Sequence, residues 1–311
     1  MDSQQTTNPA PSRDQVAMNI ESRTVQVNHL RTHYLSAVPQ SGPGQDTALV
    51  LLHGGGESAS AWRWVMPRLA ERHCVLAPDL PGSGESDLVA GRYAKGWYGS
   101  FVAGFLDAVQ IDRAVVVGHS LGGLAALQMA LDDRGERILG LVLVDSAGLG
   151  RELNPVLPLL ALPGLGDWSV LWALTPPGLI QRLGWRAWGC FAHPAEVPAG
   201  WYMDQFRLGL RPGLLWDQLM VSRSVFSLQG QTEIMLDRLS DLRVPTLIVW
   251  GDSDQIIPVA HAHQAVRRVR RGQLAIIPDC GHTPQVERPE LFLEAIDPFL
   301  ATLAPASASL P

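Results

Sequence analysis

The sequence predicts an α/β architecture, a mostly parallel, doubly wound sheet with an inserted, mainly helical cap, and three observations predict it. Continuous apolar runs at 48–52, 114–117, 139–144 and 246–250 have the character of strands covered on both faces. Stretches of helical periodicity separate them, the pattern of strand, crossover helix and next strand. Between about 149 and 235 the alternation stops, and six of the ten tryptophans collect there among Leu-Pro and Gly-Leu pairs.

Taken in order, residues 1–23 lack periodicity and are rich in Gln, Asn, Ser and Thr, so a disordered tail is expected. Residues 24–27 and 30–35 alternate as two strands about an Asn28-His29 turn. A loop from Pro39 to Asp46 leads to the strand 48–52, which stops at His53-Gly54-Gly55-Gly56. A helix over 62–72, a strand over 74–77, a turn-rich loop to 87 and a helix over 97–109 follow. The strand at 114–117 runs into a turn at Ser120 and a helix over 124–131, and the strand 139–144 ends at Asp145. In the 149–235 cap, Pro155, Pro158, Pro163, Pro176, Pro177, Pro198 and Pro212 are expected to break helical fragments. The strand pattern returns at 246–250, followed by a helix over 259–270, a strand over 273–277 and a last helix from Pro289 to about 300. The division is then a tail (1–23), a first core part (24–148), the cap (149–235), a second core part (236–300) and a tail (301–311).

Composition excludes several classes. Hydrophobic residues make up 46% of the chain and charged residues 17%, a globular balance, and the net charge of −6 provides no field for a polyanion. No nucleic-acid partner is expected. Cys74, Cys190 and Cys280 are odd in number and far apart, which fits neither a disulfide framework nor a C-x-x-C metal site. A reducing, cytoplasmic location is expected, since the first residues carry no apolar signal core and no apolar run is long enough to span a bilayer. Nothing indicates a homo-oligomer.

The chemistry centres on Val117-Gly118-His119-Ser120-Leu121-Gly122-Gly123. Ser120 sits on a sharp strand-to-helix turn, where side chains two positions either side would collide with neighbouring backbone; Gly118 and Gly122 stand there. The Leu121 N–H points from the start of a helix and favours negative charge, which makes half an oxyanion hole. A serine needs a base to take its proton, and the base needs an acid to orient it. In an open sheet these meet on loops at the carboxyl ends of strands. Acids follow two later strands, Asp145 after one and the pair Asp252 and Asp254 after the next; His282 follows the last. His261 and His263 lie two apart on different helix faces, which argues against a metal pair.

Gly118-x-Ser120-x-Gly122 resembles the nucleophile elbow of the α/β-hydrolase superfamily. His53-Gly54-Gly55-Gly56 is similar to its oxyanion loop, Asp79-Leu-Pro-Gly-Ser-Gly-Glu-Ser86 to its next sheet-end turn, and Gly251-x-x-Asp254-x-x-x-Pro258 to its acid loop. Gly281-His282-x-Pro284-x-x-Glu287-x-Pro289 looks like the loop of its base, and the matches fall in the family's order over about 25–300. The resemblance implies Ser120 as nucleophile, His282 as base and Asp254 as acid, with Asp252 a turn residue and Asp145 the reserve acid. It implies the backbone N–H of Gly55 as second oxyanion donor, with Gly56 the alternative. No cofactor or metal is implied.

Within the family, an aspartate elbow marks dehalogenases and epoxide hydrolases, and a cap lysine marks hydroxynitrile lyases; this chain has Ser120, and its only lysine is Lys95. Hydrolysis of an ester, lactone or thioester of an apolar small molecule is the expectation. Carbon–carbon bond hydrolases of ring-cleavage products suit the cap but commonly carry tryptophan where this chain has Thr283. A small-molecule receptor that keeps the triad is a third reading. The cap tryptophans suggest an apolar pocket, with Gly56, Trp168 and Trp172 as candidate substrate contacts, and the run from Pro155 to Leu165 as a mobile or membrane-touching segment.

Overall fold

The computed structural model describes residues 20–39, 48–89, 93–94, 96–133 and 136–303. Its strands are β1 (Glu21–Val27), β2 (Leu30–Ala37), β3 (Ala48–Leu52), β4 (Cys74–Pro78), β5 (Ala114–His119), β6 (Ile138–Val144), β7 (Phe226–Ser227), β8 (Gly230–Gln231), β9 (Thr246–Gly251) and β10 (Gly272–Ile277). Eight of them form one sheet in the order β1-β2-β4-β3-β5-β6-β9-β10, antiparallel at β1-β2 and β2-β4 and parallel beyond; β7 and β8 pair separately.

The helices are α1 (Met66–Leu69), α2 (Trp97–Ala108), α3 (Leu121–Asp132), α4 (Val156–Ala161), α5 (Leu165–Ala173), α6 (Pro176–Cys190), α7 (Ala199–Leu210), α8 (Leu214–Val225), α9 (Ala260–Val266), α10 (Pro284–Glu287) and α11 (Pro289–Leu303). Strand periodicity sends alternate residues to opposite faces. Val50, Leu52 and Val116 pack with Phe101 and Phe105 of α2 and Leu124 of α3. Leu49, Leu51, Val115 and Val117 pack on the other face with Trp62, Phe292, Ile296 and Phe299. The continuous apolar runs are therefore the two-sided core of the sheet.

Several boundaries differ from the sequence expectation. β1 starts at Glu21, inside the expected tail: it is an edge strand, four of its first residues are exposed, and its polar residues hide the alternation. The rest of that tail lies outside the described residues, as do 40–47 of the expected loop and 304–311 of the C-terminal tail. Residues 301–303 complete α11 instead. The expected helix over 62–72 is a 3-10 turn, Ala59–Trp62, followed by the four-residue α1 with proline in its first turn. In the cap, Pro176 and Pro177 open α6, Pro198 caps α7, and Pro155 caps α4. These prolines start helices, where a missing N–H costs nothing. Pro158 lies in α4, two residues after its first.

Helices α4 to α8 are inserted between β6 and β9, over the carboxyl ends of the parallel strands. Arg211, just before α8, donates to the carbonyls of Ser83, Gly84 and Ser86, and Asp217 of α8 accepts from Tyr93 Oη at 2.8 Å and Val89 N at 3.1 Å. The cap is thereby tied to the turn after β4. No described helix is long and apolar enough to cross a membrane.

Candidate active site

Ser120 holds φ +52° and ψ −114° between β5 and α3, a backbone conformation uncommon for a residue with a Cβ. Neighbouring strands fix it there: its N–H donates to Val144 O at 2.9 Å, and its carbonyl accepts from Leu124 N and Ala147 N. A Cβ at Gly118 would overlap the carbonyl oxygen of Gly122 and lie 2.7 Å from Gly123 Cα, so the turn closes only over glycine. The turn presents Ser120 Oγ to His282 Nε2 at 3.0 Å. On the far side of the ring, His282 Nδ1 lies 2.8 Å from Asp254 Oδ2.

Asp254 Oδ1 accepts from the N–H groups of Ile256 and Ile257 at 2.7 and 3.0 Å, and its side chain is fully buried. Asp252 stays on the turn, where its Oδ1 accepts from Ser253 Oγ at 2.8 Å. Asp145, the reserve acid, is fully buried directly behind Asp254; one oxygen from each carboxylate and a ring nitrogen of His282 lie within 4.8 Å of one another. Asp145 Oδ1 accepts from Gly251 N at 3.0 Å, while Oδ2 has no partner. Burial, then the neighbouring Asp254 charge, drives the Asp145 carboxyl well above the ordinary range. Asp254, by contrast, is engaged by His282 and two backbone N–H groups.

The loop of the base is clamped on three sides. His282 N donates to Cys190 O of the cap at 2.7 Å, and His119 Nε2 donates to His282 O at 2.7 Å. Glu287 accepts from Gly281 N at 2.6 Å and from His193 N at 2.8 Å, which gives a physical reason for the glutamate in that motif. His119 continues to Glu57, whose Oε2 lies 3.1 Å from Nδ1 and accepts from Gly54 N at 3.1 Å. Burial raises the Glu57 carboxyl, but His119 through charge and hydrogen bond, and then the charge of Arg186, outweigh it and hold it down at about 2. The loop at 53–57, the turn at Ser120 and the loop at 281–287 thus share one buried network.

Gly55 carries open space where a Cβ would stand, and Leu121 N is the first N–H of α3, with no carbonyl inside the helix to receive it. Gly56 has φ +73°, and a Cβ on it would stand 2.6 Å from Arg186 Nη1. Trp168 and Trp172 are 72% and 51% exposed on α5, whose buried Val170 and Ala173 pack against Leu215 and Leu219. Trp172 Nε1 donates to Gln181 Oε1 at 2.6 Å. Burial pushes the Cys190 thiol up to about 12 and raises Cys280 further, so neither is a ready nucleophile. His53 accepts from Leu80 N at 2.9 Å, and Asp79 accepts from Ala59 N and Glu85 N. Both hold loops in place.

Sequence reading missed Glu57, Arg182 and Arg186. Their signals were a lone carboxylate right after the glycine run, and two arginines four apart in an apolar stretch.

Comparison with known proteins gives matching results. Residues 49–295 match the Alpha/beta hydrolase family. The chain is 31% identical over 311 residues to an uncharacterised protein of Mycobacterium tuberculosis, covering 96% of this chain and 86% of that one. It is 29% identical over 266 residues to the 2-hydroxy-6-oxo-6-phenylhexa-2,4-dienoate hydrolase of Burkholderia cepacia, covering 83% and 89%. Among crystal structures, a bacterial membrane phospholipase A described as a virulence factor aligns with a TM-score of 0.74 and 27% identity, over 92% of this chain and 87% of that one.

Proposed function

This chain belongs to the α/β-hydrolase family, and from that membership we propose that it is a serine hydrolase acting on an ester, lactone or thioester of an apolar small molecule through an acyl-enzyme. One observation carries the proposal: the unbroken hydrogen-bonded line from Ser120 Oγ through His282 to Asp254.

The chemistry follows from that line. As Ser120 Oγ attacks the acyl carbon, its proton passes to His282 Nε2, and Asp254 stabilises the imidazolium from the Nδ1 side. Charge developing on the carbonyl oxygen is met by the backbone N–H groups of Leu121 and Gly55, at the positive end of α3. Collapse breaks the bond to the leaving group, which takes the proton from His282 and departs. Water then gives a proton to the same nitrogen and attacks the acyl carbon, and the proton returns to Ser120 Oγ as the carboxylic acid leaves.

The test is a pre-steady-state burst with p-nitrophenyl esters of increasing acyl length, wild type against Ser120→Ala. A burst that depends on Ser120 and is followed by steady turnover supports the proposal. A burst with no turnover favours a receptor.

A second reading has an observation in its favour: the Burkholderia cepacia relative is a hydrolase of a dienoate, and carbon–carbon hydrolysis would use the same nucleophile and base. Against it, the residue after the base is Thr283, fully buried, with its hydroxyl 3.5 Å from Cys190 O. No bulky ring stands at that position. Ser120-dependent hydrolysis of a ring-cleavage diketone, with every ester inert, would select this reading.

A further inference from the structure

Helix α6 ends at the catalytic histidine, since Cys190 O accepts the His282 N–H. One turn back, Arg186 Nη2 donates to Gly55 O at 3.4 Å and its guanidinium lies over Gly56, directly on the oxyanion loop. A further turn back, Arg182 Nη2 donates to Gln218 Oε1 of α8 at 2.9 Å. Residues four apart share one helix face, so the two guanidinium groups stand in line, about 6 Å apart along the axis, leading away from Ser120.

This line holds donors without acceptors. Arg182 Nη1, Arg186 Nε and Gln218 Nε2 are all buried and all lack a hydrogen-bond partner. Among the described residues neither arginine forms an ion pair. Glu57, the carboxylate that feels the Arg186 charge, is already engaged by His119 and Gly54 N. Burial, then the charge of Arg186, pulls the Arg182 guanidinium down to about 9, so the pair is held together against both desolvation and mutual repulsion. Buried donors that nothing in the protein satisfies are uncommon, and they mark a place where something else supplies the acceptors.

We propose that Arg182, Arg186 and Gln218 form a subsite for the carboxylate of a substrate whose other end carries the scissile acyl group. The inference rests on the acyl-hydrolase reading and narrows its substrate class to esters with an anionic tail. A carboxylate is acceptor-only and matches a set of donors. The three donor atoms left free, Arg182 Nη1, Arg186 Nε and Gln218 Nε2, are matched by the lone pairs of a single carboxylate.

The experiment compares two esters of equal acyl length, the p-nitrophenyl monoester of adipic acid and p-nitrophenyl hexanoate. In wild type, kcat/KM for the monoadipate should exceed that for the hexanoate by roughly tenfold or more, the scale of a charge-assisted pair. Arg182→Gln should bring the ratio near one, and Arg182→Lys should restore part of it. Calorimetry with free adipate on Ser120→Ala supplies a readout without turnover: adipate should bind, and Ser120→Ala combined with Arg182→Gln should not bind it. A wild-type ratio at or below one, with Ser120-dependent turnover of the hexanoate, overturns the subsite and leaves the acyl-hydrolase reading standing. If neither ester turns over, that reading fails, and calorimetry decides the subsite: adipate binding that survives Arg182→Gln, or no binding at all, overturns it.

Discussion

Two adjacent glycines of the elbow should respond differently to the same added methyl group. A Cβ at Gly122 would overlap the carbonyl oxygen of Leu52 and stand 2.6 Å from its carbonyl carbon and 2.7 Å from the carbonyl oxygen of His53, all of it backbone of β3 and the oxyanion loop. An ordinary contact needs about 3.5 Å, so α3 and β3 must separate by roughly 1 Å. At Gly123 the nearest atoms are Oγ and Cβ of Ser146; the hydroxyl can rotate away from its bond to Ala147 O, but Cβ at 2.7 Å and the backbone oxygen of Gly118 at 3.0 Å cannot. Overpacking against rigid backbone costs about 3 kcal/mol and against a neighbour that yields in part about 2. Helix propensity returns about 1 kcal/mol to either alanine. Gly122→Ala should therefore lose about 2 kcal/mol net and Gly123→Ala about 1, measured by urea unfolding. Because the displacement carries Ser120 with it, fluorophosphonate labelling of Gly122→Ala should slow by about 10²-fold. Equal stabilities for the two variants, or unimpaired labelling of Gly122→Ala, would refute the reasoning.

Other substitutions test the acids and the network behind them. Asp254→Asn should lower kcat by about 10⁴-fold in steady-state ester hydrolysis, because an amide no longer fixes the His282 tautomer or offsets its charge. Asp145→Asn should stabilise the protein. A carboxyl whose folded pKa is raised binds more protons folded than unfolded, so its cost grows as pH rises above about 4. The gain over wild type, read by thermal unfolding, should increase with pH at up to about 1.4 kcal/mol per unit and vanish near pH 4. Glu57→Gln has the opposite sign. A depressed carboxyl contributes stability present above its unfolded value and lost as pH falls through the folded one, here about 2. The variant should lose about 3 kcal/mol at neutral pH, a deficit that shrinks between about pH 4 and 2 in acid-unfolding curves.

What was legible in the sequence was what backbone geometry dictates locally. The apolar runs of β3, β5, β6 and β9 are buried along almost their whole length, so period and composition sufficed. Ser120 and His282 were legible because each occupies a turn whose shape demands particular neighbours: glycines around one, Gly281 and Glu287 around the other. β1 was shortened because an edge strand carries polar residues on exposed positions. The cap prolines were read as breaks where most are starts, since nothing local distinguishes a proline that ends one helix from one that opens the next. The exposure of Trp168 and Trp172 was not legible, because a large aromatic side chain signals burial whereas their helix buries the smaller Val170 and Ala173. Glu57, Asp145 and the Arg182–Arg186 pair act through partners distant in sequence, and only the fold brings those partners together.

The acyl-enzyme itself offers the most direct test. Wild-type protein mixed with p-nitrophenyl hexanoate, acid-quenched within the burst and weighed intact by mass spectrometry, should carry one hexanoyl group, and digestion should map it to the peptide containing Ser120. Ser120→Ala should carry none. A hexanoyl group on another side chain, or p-nitrophenol released at full rate with Ser120 never acylated, would contradict the account.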